Sequence, residues 1–284
     1  MIVSWLSLYR QYWNDYEFHS SLNCFVSSFG IAVISWRIGM VGPFLAFAIC
    51  IPSSYIYGIC SGQKPMYAIQ ATFLGFLNGT STSLLFHLQE SPVALFFCYT
   101  LVFSFFHFSE FLVTAISNRR SLQPDSFLLN HSMAYWIAAF ASWTEFFIEV
   151  YFTPFLKVGV VGGFGLILCI CGEIIRKLAM LHAGNGFTHR LARSKRPDHR
   201  LVTTGIYSFL RHPGYSGWFI WSIGTQIILC NPICLFAYIY ISWNFFNERI
   251  YEEERDLINF FGQQYTNYRQ NVWVGVPFVK GFEP

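Results

Sequence analysis

The feature that most restricts this chain is the recurrence of long apolar stretches separated by short polar breaks. Eight can be marked, approximately Leu22 to Trp36, Gly39 to Ile59, Tyr67 to Leu88, Val93 to Ile116, Phe127 to Val150, Val158 to Met180, Tyr215 to Leu229 and Pro232 to Phe246. A helix needs roughly 20 mostly apolar residues to cross about 30 Å of hydrocarbon. The last two stretches are shorter and are parted only by Cys230, Asn231 and Pro232, which predicts a re-entrant or hairpin pair of helices. A soluble alternative fails on charge. Only 12% of the 284 residues are Asp, Glu, Lys or Arg, against about 25% in a typical soluble domain, too few for a water-facing shell. The expectation is an all-α, polytopic integral membrane protein of about eight transmembrane helices.

Charge distribution predicts the orientation. Between Arg176 and Arg211 the chain carries Arg176, Lys177, Arg190, Arg193, Lys195, Arg196, Arg200 and Arg211 against the single acid Asp198. The positive-inside rule places this region in the cytosol. Counting back through the spans puts Arg119, Arg120, Lys64 and the N-terminal Arg10 on the same side, leaving only Arg37 and Lys157 opposite. No basic, apolar and small-residue cleavage pattern opens the chain, so the first stretch is expected to be a retained helix. The terminal Gly-Phe-Glu-Pro is not a prenylation box, so this chain is not expected to carry a lipid itself.

The eight cysteines, Cys24, Cys50, Cys60, Cys98, Cys169, Cys171, Cys230 and Cys234, lie in or beside apolar spans and form no C-x-x-C pair. They read as small buried hydrophobes, with no metal site or disulfide framework expected. Two N-x-S/T matches, Asn78 and Asn130, fall within a span or beside a cytosolic loop, where no lumenal glycosylation is expected.

Polar residues that can do chemistry gather after Met180. One stretch runs from His199 through Leu201, Val202 and Tyr207 to Arg211-His212-Pro213-Gly214-Tyr215, and a second contains Asn247-Glu248-Arg249 and Glu252-Glu253-Glu254. Only the two short apolar helices separate them, so the hairpin returns the second stretch to the face that carries the first. Pro213 suits the first turn of a helix, where its missing amide hydrogen has no partner to lose. The amides of Gly214 and Tyr215 would then lie at a positive helix end suited to an anion. An ordinary Pro-started helix with a packed histidine is the other reading. Arg249 and Glu253 are four apart and share a helix face. The surrounding Glu252, Glu254, Arg255 and Asp256 read as solvated surface charges.

Within the spans, His107 and Glu110 are three apart, Glu145 and Glu149 four apart, and Glu173 lies near the end of the sixth. Ionisable groups are costly in hydrocarbon, which makes them functional suspects. His107 and Glu110 either face a substrate cavity or make an interhelical hydrogen bond.

The L-V-T-T-G-I-Y element at 201–207, R-H-P-G-Y-S-G-W at 211–218 and N-E-R-I-Y-E-E-E at 247–254 resemble the C-terminal signature of the isoprenylcysteine carboxyl methyltransferases. Further stretches resemble the eukaryotic form: Trp221 to Cys234, Asp125 to His131 and Phe108 to Ala115. The likeness covers roughly residues 65–280. It implies methylation of the C-terminal carboxylate of S-prenylated cysteine in proteins that have been through CAAX processing, with S-adenosyl-L-methionine as cofactor. It also implies residence in the endoplasmic reticulum membrane, with both termini and the active site facing the cytosol. Partners would be the prenylated substrates and the lipid bilayer, with no nucleic acid and no metal. His199, Arg200, Leu201, Val202, Tyr207, His212, Pro213, Gly214, Tyr215 and Glu253 would bind the cofactor, and Arg249 would be the catalytic, substrate-binding residue. Leu201, Val202 and Tyr207 could sandwich an adenine. Seven residues before His199 the family has a polar side chain where this chain has Ala192, so any contact there is expected from backbone. Residues 1–180 would form the scaffold and lipid-substrate access, and 181–284 the catalytic region with its cofactor-binding loop, the hairpin 215–246 and a C-terminal cytosolic helix. A phospholipid N-methyltransferase and an NADPH-dependent sterol reductase carry related C-terminal patterns and are the alternatives.

Overall fold

The structure is a computed structural model that describes residues 16–283 apart from Gln63, Asn130, His131, Arg190, Ala192 and residues 196–198. Arg10, Asn130, Arg190, Ala192, Arg196 and Asp198, which entered the reading above, lie outside the described residues. The described residues form nine α-helices: α1 Tyr16–Ser35, α2 Val41–Cys60, α3 Pro65–His87, α4 Ala94–Ser117, α5 Met133–Phe152, α6 Gly159–Ala183, α7 Pro213–Leu229, α8 Pro232–Phe261 and the short polar α9 Gln263–Asn271. The chain is an all-α membrane protein. α1 with its 3-10 extension to Ile38, α2 and α4 are each long and apolar enough to cross a bilayer by composition alone. α2 and α6 turn bare apolar faces outward, with Phe44, Ile49 and Ile56 on the first and Val160, Ile167 and Ile174 on the second. In water such faces drive aggregation. In hydrocarbon they are the solvent contact.

The chain divides into two compact units, residues 1–116 with 122–131, and residues 117–121 with 132–284. In the first unit α1 and α3 approach at backbone distance. A Cβ at Gly75 would lie 2.2 Å from the Phe25 carbonyl oxygen, and one at Gly79 would lie 2.4 Å from that of Phe29. Small residues allow this approach where no hydrophobic gain between helices is available. Its core holds Tyr67, Leu74, Phe108, Phe111 and Phe127. The Phe111 and Phe127 rings stack at 4.2 Å. His107, fully buried, meets the Phe127 carbonyl through Nδ1 at 2.7 Å. The 3-10 turn Pro124–Phe127 thus supplies one polar partner to this buried ring. That turn is also a correction. The fifth helix, expected from Phe127, starts at Met133, because Leu128 takes a left-handed φ of 58° and Ser132 caps the new helix by accepting from the Tyr135 amide at 3.2 Å.

In the second unit α6 and α7 are zipped by glycines seven residues apart on each helix, Gly165 and Gly172 against Gly217 and Gly224. A Cβ at Gly172 would sit 2.6 Å from the Gly217 carbonyl oxygen, and one at Gly165 would sit 2.8 Å from that of Gly224. The expected hairpin follows: α7 ends at Leu229, Cys230 turns with φ 51°, and Pro232 starts α8. Buried charges secure the turn. Lys157 Nζ donates to the carbonyls of Leu229 at 2.8 Å and Cys230 at 3.2 Å, to Asn231 Oδ1 at 3.1 Å and to Glu149 at 2.5 Å. Glu145 accepts from the amides of Ile233 and Cys234, both at 2.7 Å, at the start of α8. A cation thus closes the negative end of one helix and a carboxylate the positive end of the next. Lys157, read from sequence as a marker of topology, is buried hairpin structure. At about 1.5 Å per residue, the 30-residue α8 is about 45 Å long and outruns the hydrocarbon core. Its second half carries Arg249 and Glu253 beyond the apolar portion that ends at Phe246.

Candidate active site

Pro213 is the first residue of α7, as its missing amide hydrogen favours, so the helix opens beneath His212 and aims Tyr215 across its first turn at α8. There Tyr215 meets Arg249 and Glu253, which sit one helical turn apart on α8 and share a face. The Tyr215 hydroxyl donates to Glu253 Oε2 at 2.5 Å and receives the Nε–H of Arg249 at 3.2 Å. Arg249 uses its other arm to donate to the His189 carbonyl at 2.6 Å and lies over the Tyr215 and Phe245 rings at 6.0 and 5.8 Å. The His212 ring stacks on Tyr215 at 5.7 Å with 15° between planes, its Nδ1 3.9 Å from Glu253 Oε2. One phenol oxygen therefore joins a cation to an anion.

The two adjacent glutamates have different surroundings. The Glu253 side chain is 33% exposed, whereas that of Glu254 is fully buried. The reading of Glu254 as a solvated charge is corrected here: it accepts from His212 Nε2 at 3.2 Å and from the Phe282 amide at 3.0 Å, with Arg211 Nε 3.0 Å away. Burial alone would raise its pKa, but the hydrogen bond and charge of His212 and the charge of Arg211 outweigh that and hold the carboxyl below its usual range. Its neighbour Glu252 is the exposed partner of Arg193 at 2.7 Å, as expected of a surface charge.

The other candidate residues are spread along the segment before α7. Tyr207 lies in a 3-10 turn, Gly205–Ser208, donating weakly to the Ala179 carbonyl at 3.4 Å while its own carbonyl accepts from Tyr268 at 2.6 Å. Burial first, and the charge of Glu253 second, push the Tyr207 hydroxyl up from its ordinary pKa, and burial pushes that of Tyr268 up to about 12. Leu201 and Val202 are half-buried and Arg200 is exposed. His199 packs edge-on to Phe260 and Phe261 near the C-terminal end of α8, a different part of that helix from Arg249. The structure thus brings Tyr207, His212, Tyr215, Arg249 and Glu253 together at one end of α7 and α8, with His199 further along α8. One expectation about the helix start is revised. The Tyr215 amide bonds back to the His212 carbonyl at 3.1 Å, and the His212 amide donates to the Val274 carbonyl at 3.2 Å, so neither is free for an anion.

Sequence reasoning passed over three contributors. Arg176, counted with the cytosolic charges, lies inside α6 and is 2% exposed; it donates to the Gly214 carbonyl at 2.9 Å and sits 4.7 Å over the Trp218 ring. Arg211 reaches Glu254 and the Arg269 carbonyl, the latter at 2.7 Å. Asn118 holds the Phe187 carbonyl at 2.8 Å, and the Phe187 ring packs where a side chain on Gly214 would stand, 3.0 Å from that position. Position 211 lies in the R-H-P block and so was signalled, but its direction was not.

These residues offer an anionic acceptor at Glu253 and a guanidinium at Arg249 beside the start of α7, a set that suits a cationic centre next to a carboxylate. Residues 165–259 match the isoprenylcysteine carboxyl methyltransferase (ICMT) family. A protein-S-isoprenylcysteine O-methyltransferase of Xenopus laevis is 49% identical over 238 residues, 84% of this chain and 82% of that protein. The Homo sapiens protein of the same name is 49% identical over 222 residues, 77% of this chain and 78% of its own length. A solved structure, described as the eukaryotic intramembrane Ras methyltransferase ICMT, superposes with a TM-score of 0.88 at 42% identity, covering 94% of this chain and 99% of that one.

Proposed function

The chain belongs to the isoprenylcysteine carboxyl methyltransferase family, and from that premise we propose how its residues methylate the C-terminal carboxylate of an S-prenylated cysteine, with S-adenosylmethionine as the methyl donor. The observation that carries the reading is the shared Tyr215 oxygen, with Glu253 on one side and Arg249 on the other. Glu253 is the anion for the donor's cationic end, and Arg249 is the cation for the acceptor carboxylate.

The donor supplies an electrophilic methyl group on a sulfonium sulfur. Leu201, Val202 and Tyr207 would flank its adenine, the Gly214 amide would meet its carboxylate at the positive start of α7, and Glu253 would balance its charge. His199 and Arg200 complete the cofactor segment. The acceptor needs little activation. An α-carboxyl with a pKa of about 3.5 is already ionised at neutral pH, so no general base is required. What remains is alignment of carboxylate oxygen, methyl carbon and sulfur, and removal of water from the nucleophile. Arg249 is suited to this because its guanidinium is planar and two-pronged, and Tyr215 and His189 already orient it.

Embedding serves the other half of the substrate. A prenyl chain gains about 0.8 kcal/mol per buried CH₂ by staying in hydrocarbon, so a bilayer-resident enzyme avoids extracting it. Residues 1–180 then form the scaffold and lipid access, and 181–284 the catalytic region. We place the chain in the endoplasmic reticulum membrane with both termini and the site facing the cytosol. Lys177, Arg193, Lys195, Arg200, Arg119, Arg120 and Lys64 support that orientation; the buried Arg176 and Arg211 do not count toward it.

An amine acceptor, as in a phospholipid N-methyltransferase, gives Arg249 no task. Arg249→Gln is therefore the test: use of a farnesylcysteine acceptor should fall at least about a hundredfold, the scale of a lost charge-assisted pair, with donor binding retained. Loss of donor binding alone would move Arg249 to the cofactor and defeat the assignment.

A further inference from the structure

The mechanism above leaves unexplained why a second glutamate beside Glu253 is completely buried. Around it stand the His212 ring, two arginines, the Tyr265 hydroxyl and a backbone amide. Oε1 faces His212 Nε2 at 3.2 Å and Arg211 Nε at 3.0 Å, while Oε2 faces the Phe282 amide at 3.0 Å and Arg269 Nη1 at 3.9 Å. An ionised carboxylate accepts only, so His212 Nε2 carries a proton; in the neutral form of the ring that leaves Nδ1, on the Glu253 side, as an acceptor.

The groups on Oε2 belong to α9 and the segment after it, and that segment is pressed onto the start of α7. The Arg211 amide donates to the Trp273 carbonyl at 2.7 Å and the His212 amide to the Val274 carbonyl at 3.2 Å. Arg211 Nη1 holds the Arg269 carbonyl at 2.7 Å, Arg269 in turn holds the Phe282 carbonyl, and Trp243 Nε1 donates to Pro277 at 2.8 Å. At Gly281 a Cβ would lie 2.0 Å from Glu254 Oε2, and its φ of +81° would strain any other residue. His212 is thus held by the C-terminal segment twice, through its own backbone and through Glu254.

We propose that Glu254, clamped by the C-terminal segment at Phe282, is a positioning residue for the methyl-donor site: it fixes the tautomer and the plane of His212, so that Nδ1 and the Glu253 carboxylate form a paired acceptor corner for a cationic N–H donor. This rests on assigning the cluster to the methyl donor. An ammonium group is the ligand chemistry such a corner recognises, since it presents several N–H donors and a full positive charge. Arg249 reaches this corner only through the Tyr215 oxygen, so the effect of Glu254 falls first on the donor.

The first test uses the unmodified protein. In full-length protein in lipid nanodiscs with ¹⁵N-labelled histidine, the His212 signal, assigned by its loss in His212→Asn, should show a protonated Nε2; an Nε2 without a proton overturns the proposal. The second test uses kinetics. Glu254→Gln replaces one acceptor oxygen by a donor that must face His212, Arg211 or Phe282, and Gly281→Ala displaces the segment. Both should raise KM for S-adenosylmethionine roughly tenfold or more, the effect of one lost charge-assisted bond, with KM for N-acetyl-S-farnesylcysteine changed less than about twofold. The exposed Glu252→Gln should leave both constants unaltered. An unchanged donor KM in Glu254→Gln, or an equal rise in both constants, contradicts a positioning role. If the wild type transfers no methyl at all, the methyltransferase reading fails instead, and the His212 protonation still decides the pairing with Glu254.

Discussion

The Tyr215 hydroxyl donates a hydrogen bond of 2.5 Å to Glu253 Oε2. The same oxygen is met by Arg249 Nε at 3.2 Å, so the residues proposed for donor and acceptor share one atom. Tyr215→Phe removes that atom while keeping the stack on His212 and the contact with Phe246 at 5.4 Å. A lost charge-assisted hydrogen bond costs about 1.5–3 kcal/mol. Both KM values should therefore rise, each roughly tenfold, in steady-state assays with either substrate varied. A change in only one of them would mean that the hydroxyl serves one partner and does not couple the two.

Lys157 closes the far end of the hairpin, its side chain fully buried between Glu149 and the carbonyls at the end of α7. Lys157→Met keeps most of the side-chain volume and leaves Glu149 without its cation. Removing one partner of a buried pair costs about 3–5 kcal/mol. Thermal unfolding in detergent should shift down accordingly, while kcat/KM per folded molecule is unchanged because the active cluster lies at the other end of α7. A melting point equal to that of the wild type would contradict this role of Lys157 at the turn.

Glu254 makes a pH prediction. Its carboxyl is held below the ordinary value of 4.5, by His212 and Arg211 against burial. Folding therefore favours the ionised form, so the stability it contributes is present above the unfolded pKa and is lost as pH falls through the lower native value. The melting-point gap between wild type and Glu254→Gln should be largest near neutral pH and should shrink below about 4.5. A gap that widens on acidification would reverse the sign and contradict the account.

Much of this was legible in the chain because bilayer crossing leaves a strong, local signal. The hairpin turn at Cys230–Pro232, the start of α7 at Pro213 and the common face of Arg249 and Glu253 all follow from spacing within a few residues. Glu254 did not. In a run of three glutamates each points to a different side of the helix, and the side that is covered depends on residues 272–283, which carry no periodic pattern. The hairpin role of Lys157 was hidden for the same reason: its partners Leu229 and Cys230 lie 72 and 73 positions away. Arg176 and Arg211 look like loop charges in a count of basic residues, and only the fold shows them pointing inward. The start of α5 was displaced by a left-handed turn at Leu128, a residue type with no preference for that conformation.

The most direct measurement is transfer of labelled methyl from S-adenosylmethionine to N-acetyl-S-farnesylcysteine by the purified protein in liposomes. A carboxyl methylation site predicts label in a product that mild base hydrolyses, as an ester must be. Label that survives base, or consumption of NADPH with no methyl transfer, would contradict it.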